Sequence, residues 1–102
     1  MAVDSRPSVS ILLPVYNAAS SLQQALGSLL SQTYYDFEIL ALDDGSQDGS
    51  LAILENAAQQ DHRIRLFPFP HRGLVPNLNF GIEAAHGELL ARMDADDISH
   101  PR

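Results

Sequence analysis

Short apolar runs alternate with longer periodic ones along the chain. SVSILLPV (8–15) is β-branched-rich, bounded by Pro7 and Pro14, and predicts a buried strand. SSLQQALGSLLSQ (20–32) sets Leu22, Ala25, Leu26, Leu29 and Leu30 on one helical stripe. Ser20 or Ser21, with glutamine three residues on, predicts a capping box at its start. FEILAL (37–42) predicts a second buried strand, DDGSQDGS (43–50) a loop, and LAILENAAQQ (51–60) a second helix on Leu51, Leu54, Ala57 and Ala58. IRLFPF (64–69) predicts a third strand. VPNLNFGIEAAHG (75–87) predicts a third helix, with Pro76 in its first turn and Gly87 as its C′ residue. Gly81 inside that helix costs about 1 kcal/mol against alanine, which predicts close packing at that point. ELLARM (88–93) predicts the fourth strand.

The order β-α-β-α-β-α-β predicts right-handed crossovers and a mainly parallel sheet covered on both faces, a three-layer α/β/α Rossmann-like domain. At 102 residues the chain predicts one domain, 1–102. Ligands of such sheets bind beyond the carboxyl ends of the strands. The segments at those ends are polar and unusual: Tyr16-Asn17, Asp43-Asp44-Gly45-Ser46, His71-Arg72-Gly73 and Asp94-Ala95-Asp96-Asp97. That shared edge is the predicted ligand site.

Composition sharpens this. Thirteen acidic residues against six basic ones give a formal net charge of −7, which argues against nucleic acid as a partner. Six of the acids, Asp43, Asp44, Asp48, Asp94, Asp96 and Asp97, occupy two short stretches. Two unit charges about 4 Å apart repel by about 4 kcal/mol at an effective dielectric of about 20, and a divalent cation relieves that. Mg²⁺ takes one or two carboxylates together with substrate phosphates, so a metal converts an acidic edge into a diphosphate receptor. The plainer readings are turn chemistry for Asp43 to Ser46, a helix N-cap for Asp48 and a surface charge for Arg72. His62, His71, His86 and His100 show no metal-ligand spacing. Asn77 and Asn79, poor helix formers, are expected to bond a neighbouring loop or a ligand.

The chain has no cysteine, no lysine, no G-x-G-x-x-G after the first strand and no G-x-S-x-G. Disulfide frameworks, Walker-type sites, dinucleotide fingerprints and hydrolase elbows are thereby set aside. D-A-D-D-I approaches the D-x-D-x-[TV] of a phosphatase family with Asp94 as nucleophile, although that motif belongs after a first strand. No apolar run reaches the roughly 20 residues of a membrane span, and the expected location is cytoplasmic or at the cytoplasmic face of the membrane.

Three segments together resemble the N-terminal half of a family 2 glycosyltransferase with a GT-A fold: VSILLPVYNAASSLQQALGSLLSQTY, FEILALDDGSQDGS and HRGLVPNLNFGIEAAHGELLARMDADD. The resemblance implies a metal-dependent, inverting transfer of sugar from a nucleoside-diphosphate sugar to an acceptor hydroxyl. It also implies Mn²⁺ or Mg²⁺ as cofactor and a role in cell-wall or polysaccharide biosynthesis. A non-catalytic nucleotide-binding module is the alternative. By the same resemblance, Pro14, Val15, Tyr16 and Asn17 frame the base and ribose. Asp43 accepts a hydrogen bond from the base, Asp44 supports that loop, and Arg72, Gly73, Asn79 and Ala95 belong to the donor site. Asp94 contacts ribose or metal, and Asp96 ligates the metal. The general base is expected beyond Arg102, with the acceptor half, so that this part alone is expected to be inactive and its uncovered sheet flank to self-associate. Leu78 stands where the family often has arginine and His71 where asparagine is common, leaving Arg72 or His71 as substitutes for a missing donor-binding cation.

Overall fold

The computed structural model describes residues 7–31 and 36–95. Its elements run β1 (Val9–Val15), α1 (Ala19–Leu30), β2 (Phe37–Asp44), α2 (Ser50–Gln60), β3 (Ile64–Phe69), α3 (Leu74–Ala84) and β4 (Leu89–Arg92). The four strands form one parallel sheet in the order β3-β2-β1-β4. Along β2 every residue is buried, as a strand inside a doubly covered parallel sheet requires. β4 is an edge and is exposed at all four positions.

The strand order explains where the helices go. From β1 to β2 to β3 the chain steps one way, so right-handed crossovers put α1 and α2 on the same face. The return to β4, on the far side of β1, places α3 on the opposite face. Alternation along the strands serves both layers. Leu13, Val15, Phe37, Ile39 and Ala41 join Leu22, Leu26, Leu29 and Leu54 in one core cluster. Leu12, Leu40 and Leu42 join Phe67, Phe69, Leu78, Phe80 and Ala84 in the other. The fold is the expected α/β/α sandwich around a parallel sheet.

Packing also explains two residues that look out of place. A Cβ on Gly81 would stand 2.9 Å from Leu12 Cδ2 and 3.1 Å from Leu42 Cδ1, so α3 lies directly on the sheet there. Pro14 sits in β1 past Leu12↔Arg92, the last pair of the β1–β4 ladder. Its missing N–H therefore interrupts no bond on that side.

Several local expectations are corrected. α1 begins at Ala19 with Ala18 as N-cap, not at Ser20 or Ser21, and no side chain of its own caps it. Its first N–H groups are met from across the fold, Ala18 by Ser50 Oγ at 2.9 Å and Ala19 by Asp48 Oδ2 at 3.1 Å. Asp48 is not the N-cap of α2, which is Gly49; instead its Oδ1 accepts from the Ser50 N–H at 2.9 Å. β2 runs two residues further than expected, taking Asp43 and Asp44 out of the loop. α3 ends at Ala84, so Gly87 is not its C′ residue. Gly87 is small because it passes against β1. A Cβ there would lie 2.7 Å from Ser10 N, and its N–H donates to Ser10 Oγ at 2.8 Å.

Candidate functional site

β1 and β4 are neighbours whose connections leave in opposite directions, which makes their carboxyl ends the topological switch point of the sheet. A cleft of about 380 Å³ opens there. Pro14, Val15, Tyr16, Asn17, Asp44, Asp94 and Ala95, all expected at the site, line it together with Ala18, Ser20, Ser21, Leu42, Leu74, Asn77 and Arg92.

Its walls are built by side-chain parity. Asp43 follows Ala41 and faces α1 and α2, while Asp44 follows Leu42 and faces α3. Asp43 is buried and holds its own turn, accepting from Ser46 Oγ at 2.6 Å and from Ser46 N at 3.1 Å. It does not line the cleft. Ser46 Oγ in turn accepts from the Asn17 N–H at 3.0 Å, and Asn17 Oδ1 accepts from Gln47 N at 2.8 Å. Asn17 adopts φ 49°, a left-handed conformation that asparagine tolerates better than most residues. The exits of β1 and β2 are thus laced together.

Asp44 anchors the opposite wall. Its Oδ1 accepts from Arg72 N (2.9 Å), Gly73 N (3.2 Å) and Asn77 Nδ2 (3.0 Å), and His71 Nδ1 lies 2.8 Å from Oδ2. Burial opposes ionisation of this carboxyl. The hydrogen bonds from Arg72, Asn77 and Gly73, with the charge of His71, outweigh burial and hold the pKa below the ordinary carboxylate value. Gly73, at φ 98°, makes the turn that brings its N–H to Asp44. Tyr16 and His71 stack at the rim with centroids 4.5 Å apart and planes at 23°.

Besides Asp43, three expected donor-site residues fall elsewhere. Asn79 is exposed on the outer side of α3, because two helical residues turn through about 200°. Asn77 is the inward one, fully buried and bonded to the loop before α3. Arg72 does not line the cleft. Its Nε donates to Asn77 Oδ1 at 2.6 Å and its guanidinium lies 4.0 Å over the Phe69 ring. Gly73 serves Asp44 and also leaves the lining. Leu78, in place of a cation, packs into the α3-side core.

At the β4 end, Arg92 Nε and Nη2 donate to Asp94 Oδ1 at 3.1 and 2.9 Å. Ser21 Oγ donates to the Ala95 carbonyl at 3.1 Å, tying the turn after β4 to α1. Asp96, the expected metal ligand, and Asp97 lie outside the described residues. Among the described residues no group of three His, Cys, Asp or Glu could hold a metal ion. Asp94 offers the hard carboxylate oxygens that Mg²⁺ and Mn²⁺ prefer, and one or two such groups plus substrate phosphates suffice for such ions. Its chemistry therefore fits a divalent cation shared with a ligand.

The family model for glycosyl transferase family 2 matches residues 10–102. The chain belongs to that family. It is 40% identical over 92 residues to an uncharacterised glycosyltransferase of Haemophilus influenzae, covering 89% of this chain and 37% of that protein. Among solved structures it is similar to the mannosyltransferase PcManGT from Pyrobaculum calidifontis in complex with GDP-Man and Mn²⁺. That likeness has a TM-score of 0.80 and 28% identity over 89% of this chain and 28% of the other. S. aureus TarS 1–349 in complex with UDP-GlcNAc also superposes at TM-score 0.80, with 26% identity over 87% of this chain and 26% of that one. The chain thus spans 26–37% of the length of these three proteins. For a family 2 chain the phosphatase reading of D-A-D-D-I has no further ground.

Proposed function

We propose that the protein binds a nucleoside-diphosphate sugar in the β1–β4 cleft, as the donor half of a metal-dependent inverting glycosyltransferase. The observation that carries this is the convergence of Tyr16, Asn17, Asp44 and Asp94 on one cleft at the switch point of a family 2 fold. GDP-Man and UDP-GlcNAc are bound by the two structural neighbours, the first with Mn²⁺. In this reading Tyr16 and Pro14 offer an apolar face to the base. Asn17 and the Asp43–Ser46 turn fix the width of the slot. Asp94 and Asp96 hold the cation, Mn²⁺ or Mg²⁺. When bound, that cation supplies Lewis-acid stabilisation of the leaving diphosphate. The described residues bind and orient the sugar donor; a general base for the acceptor hydroxyl belongs, in this reading, outside the described residues. The expected setting is the cytoplasm or the cytoplasmic face of a membrane.

The test is an amide-shift titration by NMR with UDP, GDP and dTDP, each with and without Mg²⁺, repeated on Asp96→Ala. Metal-dependent shifts at Tyr16, Asn17 and Ala95, lost in the variant, are the expected result. Shifts that ignore the metal would instead assign a metal-free nucleotide-binding module. No shifts at any of the three positions would remove the donor-site reading.

A further inference from the structure

A diphosphate needs positive charge around it, and the chain carries little. The family's frequent arginine is replaced by Leu78, and the two substitutes that the sequence offers are both engaged elsewhere. Arg72 is clamped between Asn77 and Phe69, and His71 stacks on Tyr16 against Asp44. Arg63 and Arg65 lie with Asp61 and Glu38 toward the opposite, amino-terminal end of the sheet. Among the described arginines, Arg92 is the one that lines the cleft.

Its position is peculiar. It closes an otherwise apolar strand, it is half-exposed, and both of its contacts fall on a single oxygen, Oδ1 of Asp94. Asp94 is also the described carboxylate that the donor-site reading gives to the cation. Asp94 would hold the cation with the same carboxylate that Arg92 now occupies. An exposed arginine–carboxylate pair is weak, so Arg92 would leave Asp94 at little cost when a cation is bound there. The freed guanidinium is a planar fork suited to two phosphate oxygens at once.

We propose that Arg92 is the diphosphate-binding cation of this site, shared with Asp94. The guanidinium and the divalent ion compete for the Asp94 carboxylate, and the displaced guanidinium turns to the diphosphate of the sugar donor. Arg92 thereby replaces the cation lost at Leu78, from the opposite wall of the cleft. The proposal rests on the donor-site reading and adds to it a residue and an order of events: metal at Asp94 frees Arg92 for the phosphates.

The protein, Arg92→Met and Arg92→Lys are compared in two measurements. Mn²⁺ alone is titrated by electron paramagnetic resonance, and uridine, UDP, guanosine and GDP are titrated by calorimetry at saturating Mn²⁺. Arg92→Met is expected to bind Mn²⁺ alone about two- to fivefold more tightly, the size of an exposed ion pair. It is expected to bind the diphosphates about tenfold more weakly, as loss of a charged hydrogen-bond pair implies, with nucleoside binding unchanged. Arg92→Lys, a point charge without the fork, should recover part of the diphosphate affinity. The proposal is overturned if Arg92→Met binds UDP and GDP within twofold of the parent, if its Mn²⁺ affinity does not rise, or if nucleoside binding falls in step. A parent protein that binds neither diphosphate overturns the donor-site reading as well. A parent that binds while Arg92→Met matches it overturns this proposal alone.

Discussion

The cleft has two aspartates on opposite walls, and they are held in opposite ways. Asp44 is 7% exposed and receives hydrogen bonds from two backbone N–H groups and one amide, with a histidine alongside. Asp94 has a side chain 42% exposed and is joined to one flexible arginine two residues away. Asp44 is at the end of a strand buried along its whole length, Asp94 just past an edge strand exposed along its whole length. One carboxylate serves structure, holding the loop before α3 against the sheet. The other keeps its oxygens accessible, which is what a group that must exchange partners requires.

The difference is largest in stability. Asp44→Ala leaves the Arg72 and Gly73 N–H groups and the Asn77 amide without their acceptor in a buried place, and should destabilise by about 3 kcal/mol. Denaturant unfolding followed by circular dichroism measures this as a lowered midpoint. An effect under about 1 kcal/mol would mean that water replaces the carboxylate readily, and the contrast between the two walls would disappear.

Acid should expose the same contrast. The pKa of Asp44 is lowered on folding, so its contribution to stability is fully present above the unfolded-state value, about 3.9, and is lost as pH falls through the folded-state value. Glu38 behaves alike at the other end of the sheet. Burial opposes its ionisation, while Ser10, the His86 N–H and Arg65 more than compensate. Stability measured from neutral pH down to about pH 2 should therefore fall on the acid side, and Asp44→Asn should flatten part of that limb. An unaltered limb in the variant would assign the acid sensitivity to Glu38 and the remaining carboxyls.

How far the molecule is legible in its sequence follows a physical line. The strands and helices declare themselves because short apolar runs and period 3.6 are local properties, and the shared polar edge comes from element order alone. The helix caps do not. Ser20 and Ser21 look like caps, but the groups that cap α1 come from Asp48 and Ser50, about thirty residues on, and no local pattern announces them. Asn77 was within reach: Gly81 signals close packing, and the residue one turn earlier shares its face, which selects Asn77 over Asn79. Arg72 could not be judged, since its fate depends on Phe69 and Asn77 converging on it. Arg92 left a faint signal as the lone charge in the strand LLAR, two residues before Asp94 and hence on the same side of an extended chain.

A smaller effect belongs to the rim. His71→Ala removes the ring stacked on Tyr16, and its exposed side chain limits the loss of stability to about 0.5–1 kcal/mol. Tyr16, no longer braced, should show a broader fluorescence response to quencher than in the parent. Equal quenching in both proteins would assign the orientation of Tyr16 to the β1 exit rather than to His71.

The smallest effect on folding is expected where the largest effect on binding is. Asp94→Ala removes one exposed pair with Arg92, and surface changes of that kind stay within about 0.5 kcal/mol. Unfolding curves of variant and parent should therefore nearly superpose, while Mn²⁺-dependent binding of UDP or GDP is lost. The two readings must be taken on the same sample, because their combination separates the alternatives. Lost binding with an intact fold assigns Asp94 to the ligand. Lost stability on the scale of Asp44→Ala would make Asp94 a second structural anchor, and the two walls of the cleft would then be alike. Retained binding with an intact fold would move the cation to other carboxylates and leave Arg92 and Asp94 as an ordinary surface pair.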